Sequence, residues 1–332
     1  MLDRMFLQQS GEGPLSSGDV FSTSLYTGNG GAQNITNGIK LASKGGLVWL
    51  KQRVSGGNNP AHWLFDSARG SAYSLTTNEA SGQFGTWSPG VTFYSNGFNT
   101  GGHIQWNTNG VAYASWTFRE APKFFDIVTW SGTGVARDIP HTLGIAPGVI
   151  IIKKINAYQN WTVYHRSSGP NYNLVLNSSN PAALNSGVFP RVTSTSFGID
   201  YVGDYNASGS DYIAYLFAHD TSATGLIQCG SYTSQVGSPV DVNLGWQPQF
   251  VIIKKATLPE NLASENWLMF DSTRGITATT DQMLQANTTD TESPVEIINL
   301  SATGFTISPI SYYASNYPQG AQYNYIAIRG ST

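Results

Sequence analysis

The chain has 332 residues, 40% of them apolar and 12% aromatic, but only 11% charged, with a net charge of −3. So few charges, and no run of Lys or Arg, exclude a groove that tracks nucleic-acid phosphates. A single cysteine, Cys229, excludes an internal disulfide and a Cys/His metal set, and apolar runs such as Val149-Ile-Ile-Ile152 are too short for a membrane-spanning helix.

The N-terminus stands apart. Met1, Leu2, Met5, Phe6 and Leu7 form a short apolar cluster, interrupted by Asp3 and Arg4. The early acid and the lack of a following apolar stretch argue against a signal peptide. The Ser, Gly and Gln-rich segment 8–18 reads as a flexible linker. Residues 1–20 are therefore expected to be an arm whose apolar residues dock on a partner.

From Phe21 onward the chain repeats itself. An opening strand at Phe21-Ser-Thr-Ser-Leu-Tyr-Thr27 is followed by Gly46-Leu-Val-Trp-Leu-Lys51, which reads as a buried strand ending in a lysine. Next come Trp63-Leu-Phe-Asp-Ser-Ala-Arg-Gly70, a tight turn before Phe98, and a terminal strand around Tyr113-Ala-Ser-Trp-Thr-Phe118. The second copy runs from Phe125 through Lys153, Trp161, Phe197 and Tyr212. The third runs from Gly225 through Lys254, Trp267, Phe305 and Tyr325. Corresponding residues recur at intervals of about a hundred residues, the size of a β-sandwich and too long for a solenoid rung or propeller blade. The expectation is an all-β protein of three tandem sandwich-like units, 21–120, 121–222 and 223–332. The linker Arg119-Glu-Ala-Pro-Lys123 is too short for a free tether, so the units must pack closely, in a ring or a bent row.

The chemical-looking motifs read mostly as architecture. Asp66 with Arg69, and Asp271 with Arg274, suit an arginine that binds a carboxylate or sugar. An Asx-turn closed by the arginine and ended by glycine explains every position better. The second copy has His165-Arg-Ser-Ser there instead. Lys51, Lys153 and Lys254 read as side chains snorkelling where a buried strand meets water. Asp204-Tyr-Asn-Ala-Ser-Gly-Ser-Asp211 has calcium-like spacing but Tyr215 where a bidentate Glu belongs, and reads as a hairpin turn. Cys229 reads as a small buried strand residue. The five histidines show no metal spacing, and no nucleophile elbow or phosphate loop occurs, so no catalytic, cofactor-binding or metal-binding residue is assigned. Trp63, Trp161 and Trp267 recur in register and read as core. Trp87, Tyr94, Trp106, Tyr312 and Tyr313 fall in Gly/Asn/Ser-rich loops, where exposed aromatics suit glycan stacking or protein contact; core or subunit interface is the competing reading.

Four stretches carry a resemblance: Phe21-Ser-Thr-Ser-Leu-Tyr-Thr-Gly-Asn-Gly30, Gly45-Gly-Leu-Val-Trp-Leu-Lys51, the segment from Ala114 to Asp126, and Tyr215-Leu-Phe-Ala-His-Asp220. Over most of residues 20–330 the chain resembles a family of uncharacterised tailed-bacteriophage structural proteins. The resemblance implies a virion component, assembled in the host cytoplasm, of the kind described as tail or tail-fibre proteins, with no active site to carry over. Taken with the short N-terminal arm read above, the expectation is a tail-associated fibre, spike or knob protein, a homo-oligomer held to other virion proteins through residues 1–20, with a role in attachment to a host glycan or receptor. A capsid decoration or head-fibre protein is the alternative. A surface-polysaccharide depolymerase is a third reading, disfavoured by the hundred-residue repeat.

Overall fold

The computed structural model describes residues 13–88, 90–200, 202–257, 264–277, 279–309 and 320–331. The apolar cluster Met1, Leu2, Met5, Phe6 and Leu7, and the pair Tyr312 and Tyr313, lie outside the described residues.

The protein is all-β, built from antiparallel sheets, and its helices are single turns of four residues among the described residues. The first large sheet has the spatial order Phe21–Thr27, Ala112–Arg119, Gly46–Gln52, His62–Asp66 and Leu75–Thr76. A second follows the same order with Phe125–Ser131, Asp211–Ala218, Pro147–Lys154, Thr162–His165 and Tyr172–Val175, and adds Ala183–Leu184 at its edge. A third has Ile227–Thr233, Gln322–Arg329, Pro248–Lys255, Leu268–Asp271 and Asp281–Gln285, with Ser293–Val295 at its edge. Each is accompanied by a smaller sheet: Asn34–Thr36 with Gly97–Asn99 and Thr92–Tyr94; Arg137–Pro140 with Ser196–Ile199; and Val240–Asn243 with Gly304–Ile307 and Ile298–Ser301. A large sheet and its smaller partner make one sandwich-like unit, called first, second and third below.

Strand periodicity explains the layering. Side chains alternate between the two faces of a strand, so a strand covered on both sides reads as a continuous apolar run. In Gly46–Gln52, Val48 and Leu50 join the core beneath the unit's own small sheet. Leu47 and Trp49 face the other way, into a core shared by all three units. The third unit repeats this, with Val251 and Ile253 on its own side and Phe250 and Ile252 in the shared core. Phe118 of the first unit meets both Phe217 of the second, at 5.6 Å, and Phe250 of the third, at 6.0 Å. The first unit thus touches the last as well as the middle one, which a bent row would not require.

The structure corrects three expectations, two of them through strand register. The linker expected through Gly18 already packs on the fold from Leu15 onward. Ser17–Val20 form a helical turn closed by a Ser16/Asp19 capping box, and the Ser17 hydroxyl donates to the Gly330 carbonyl at 3.1 Å. Tyr113 and Tyr212 correspond to Tyr323, not Tyr325: each stacks on the partner residue of the opening strand, Tyr26, Trp130 and Tyr232 respectively. The partner of Lys51 across the sheet is His62, so His62, not Trp63, occupies the position of Trp161 and Trp267.

Candidate recognition surface and the seams between units

The three strand-end lysines do not reach water. Lys51, Lys153 and Lys254 are fully buried, because each lies on the inward face of its strand. An ammonium has three N–H donors, and each of these finds three carbonyls. Lys51 donates to Gln52 (3.1 Å), Pro60 (2.7 Å) and Thr289 (3.2 Å). Lys153 donates to Lys154 (3.0 Å), Gln159 (2.8 Å) and Ala80 (3.0 Å). Lys254 donates to Lys255 (3.1 Å), Glu265 (2.7 Å) and Ser179 (2.7 Å). In each case the last carbonyl belongs to the preceding unit around the ring, the third unit preceding the first. Burial pulls the lysine pKa values down, to about 8 for Lys51 and Lys153 and about 7 for Lys254. The carbonyl cages oppose that by solvating the charge in place of water.

A second cycle runs one residue away. The Trp161 indole N–H donates to the Thr76 carbonyl at 2.9 Å, and that of Trp267 to the Val175 carbonyl at 3.0 Å. In the first unit His62 fills this place, with Nε2 3.0 Å from the Gln285 carbonyl. Its Nδ1 accepts the Trp49 indole N–H at 2.8 Å, so Nε2 carries the proton and the ring is neutral. Burial depresses the His62 pKa well below its usual value, consistent with that state.

The Asp-Ser-x-Arg turns form a third cycle. Asp66 Oδ1 accepts the Arg69 backbone N–H at 2.9 Å, and Oδ2 accepts Arg69 Nε at 2.6 Å. Asp271 and Arg274 repeat both bonds, at 2.8 and 2.5 Å. Gly70, Gly169 and Gly275 close the three turns at φ of 86°, 84° and 114°, the left-handed region that favours glycine. The turns also fasten the units. Asp66 Oδ2 accepts the Tyr215 hydroxyl at 2.7 Å, and Asp271 Oδ2 accepts the Trp116 indole N–H at 3.0 Å. The residue matching Tyr215 and Trp116 in the third unit is Ile326, which has no donor. The second unit therefore needs a donor of its own, and His165 supplies it: Nε2 sits 3.1 Å from the Tyr325 carbonyl while Nδ1 accepts the Ser167 N–H at 3.2 Å.

Outside these fasteners the seams differ. In the third-to-first seam, Glu292 is clamped between Arg274 Nη1 at 3.1 Å and Arg53, whose Nη2 is 2.8 Å away. Its backbone N–H donates to the Arg53 carbonyl. The same backbone bond identifies its counterparts: Gln83 donating to Ile155 in the first-to-second seam, and Ala182 donating to Ala256 in the second-to-third. These two seams lack the acid and are lined by clefts, of about 490 Å³ beside Arg69 and Gln83 and about 400 Å³ beside Ala182 and Gln322. Each cleft presents a tyrosine at the same register position, Tyr73 (37% exposed) and Tyr172 (43% exposed). The sealed seam has Gln282 there.

Of the aromatic residues expected at a recognition surface, the described ones do not form one: Trp87 and Trp106 meet in the first unit's own core, and Tyr94 lies apart on its small sheet. Trp106 is fully buried, because it packs in the first unit's own core and donates its indole N–H to the Thr100 carbonyl. Trp87 is half-buried against Trp63, Trp106 and His103, and its indole N–H reaches Ser74 Oγ. Tyr94 is exposed, on the first unit's small sheet. The motif Asp204–Asp211 is not the hairpin turn expected: its first residues end the helical turn Val202–Tyr205, and the strands on either side of it belong to different sheets. The Asn206 amide donates to Thr133 Oγ1 and the Val135 carbonyl, and Asp211 accepts the Ser131 hydroxyl. Cys229 is buried in its strand, and burial pushes its thiol pKa up. Sequence reading missed Tyr73 and Tyr172. Their signal was positional: both precede the leucine, Leu75 or Leu174, that pairs opposite the Trp-headed strand.

The chain belongs to the family described as Domain of unknown function (DUF7483), which matches residues 16–331. No curated protein and no solved structure matches it.

Proposed function

We propose that this member of the family is a non-enzymatic structural protein of a bacteriophage virion. In this reading it is mounted on the tail in several copies, joined to other virion proteins through residues 1–20, and displays a surface for host attachment. The observation that carries the reading is the closed fastening of the three units. Their buried polar groups are spent on one another across the seams, in three separate cycles of contacts. That arrangement suits a rigid body that holds its surface loops in fixed relation. The surface itself is poor in charge and carries exposed aromatic and aliphatic side chains, Tyr158, Leu184, Val135 and Val236 among them. The resemblance to tailed-phage structural proteins points the same way.

Locating the protein in a density map of purified particles tests the proposal. Density on the tail is expected. Density on the capsid lattice favours a decoration protein, and absence from particles rejects the virion role. Deleting residues 1–12, which spares the segment packed on the fold from Leu15, abolishes incorporation if the arm docks; normal incorporation contradicts docking. Release of oligosaccharide from host surface polysaccharide by the purified protein contradicts the non-enzymatic reading.

A further inference from the structure

We propose that the seam between the first and second units is a binding site for a neutral oligosaccharide, an inference that deepens the attachment reading and rests on it. The third-to-first seam shows what fills this position when the chain seals it. There Arg274 makes the same bonds as Arg69, to its aspartate through Nε and to the carbonyl two residues before that aspartate, and its remaining Nη1 takes Glu292. In the first unit Arg69 is held identically by Asp66 and the Leu64 carbonyl. Its side chain is only 3% exposed, yet Nη1 has no hydrogen-bond partner among the described residues. Gln83, in the place of Glu292, has a buried Oε1 that is likewise unpartnered. A buried donor and a buried acceptor left unpaired at one cleft each carry a cost that a ligand can remove.

The chemistry of the lining selects the ligand. Sealing the third seam takes two arginines around one carboxylate. Here the counterpart of Arg53 is Ile155, and the cleft is also lined by Asp211, so an anionic ligand meets one arginine already paired to Asp66 and a facing acid. A neutral polyol suits the lining better. Its hydroxyls accept from Arg69 Nη1 and donate to Gln83 Oε1 and to Asp211. Its apolar ring face stacks on Tyr73. Because both unpaired atoms are buried at the wall, the Gln83 side chain turns outward to admit the ligand. A second cleft of about 450 Å³ shares Gln83 and Ile155 with the first and is edged by Tyr158, which is 80% exposed. Two adjoining clefts suit an oligosaccharide better than a single sugar ring. The two open seams carry a tyrosine where the sealed seam carries Gln282, so platform and opening occur together.

The test uses the full chain and saturation-transfer NMR with four named probes: maltohexaose, mannohexaose, chitohexaose and hexagalacturonate. Transfer to a neutral probe is expected. Tyr73→Ala weakens that binding about tenfold. Gln83→Glu with Ile155→Arg rebuilds the Glu292 clamp, so it abolishes binding while the thermal midpoint stays level or rises, which separates sealing from misfolding. No transfer from any probe, transfer from hexagalacturonate alone, or undiminished binding by the rebuilt clamp overturns the proposal. Particle location is read separately. A virion protein that binds no probe loses this inference alone, and a saccharide binder absent from particles loses the virion role alone.

Discussion

The lysines are the residues whose role the sequence concealed. A lysine at the end of an apolar strand is ordinarily a snorkelling side chain, and nothing local contradicts that at Lys153. Two of its three acceptors come from its own unit, Lys154 and Gln159, but the third is Ala80, far back in the chain. No spacing rule reaches that carbonyl. Replacing Lys153 by Met keeps the apolar stem and removes all three donors from buried carbonyls. The expected loss is about 3 kcal/mol or more, read from urea unfolding; a loss below about 1 kcal/mol would mean the cage contributes little. Alongside the buried His62, His165 contributes to the pH dependence. Burial, partly offset by the Tyr325 carbonyl, lowers its pKa from 6.5 to about 4. Between those values the unfolded chain binds the proton and the folded one does not. Stability is therefore full above about pH 6.5 and falls as the pH drops toward 4, by about 3 kcal/mol from this residue. His165→Gln should flatten that part of a stability-against-pH curve. An unchanged slope would place the acid sensitivity elsewhere.

At the level of elements, local turns were legible and register was not. The Asx-turn at Asp66 could be read because its partners lie three residues apart. The alignment of the tryptophans failed by one position. Trp63 stands three residues before its aspartate and Trp267 four, and a slip of one residue moves a side chain to the opposite face of a sheet. His62 was thus read as a scattered histidine, although it occupies the fastening position of Trp161 and Trp267. Trp106 was misplaced for a related reason: a Gly/Asn-rich neighbourhood suggests a loop surface, but Ile104–Asn107 form a helical turn that tucks the indole inward. The seam clefts could not be seen at all, since their walls come from different units. Glu292 makes the clearest element-scale prediction. Glu292→Ala leaves Arg274, whose side chain is fully buried, without one carboxylate. It should cost about 3–5 kcal/mol, whereas Gln83→Ala at the matching place in the open seam should cost less than about 1 kcal/mol. Equal costs would show that the sealed and open seams do not differ energetically.

For the whole molecule, the all-β class was plain from apolar runs punctuated by Gly, Asn and Pro, and the close packing of units from their short linkers. Closure into a ring was not, because it depends on contacts such as Phe118 with Phe250 and Lys51 with Thr289, between the first and third units. One hydrophobic core draws residues from all three units, among them Trp49, Ile151 and Ile252. A unit cut away from the others would expose that face and its lysine cage, so the units should not unfold independently. The direct measurement is native-state hydrogen exchange under increasing guanidinium, following strand amides of Gly46–Gln52, Pro147–Lys154 and Pro248–Lys255. A closed ring predicts that the three strands merge into one opening with the same free energy and the same denaturant dependence. Three separate openings, one for each unit, would contradict it.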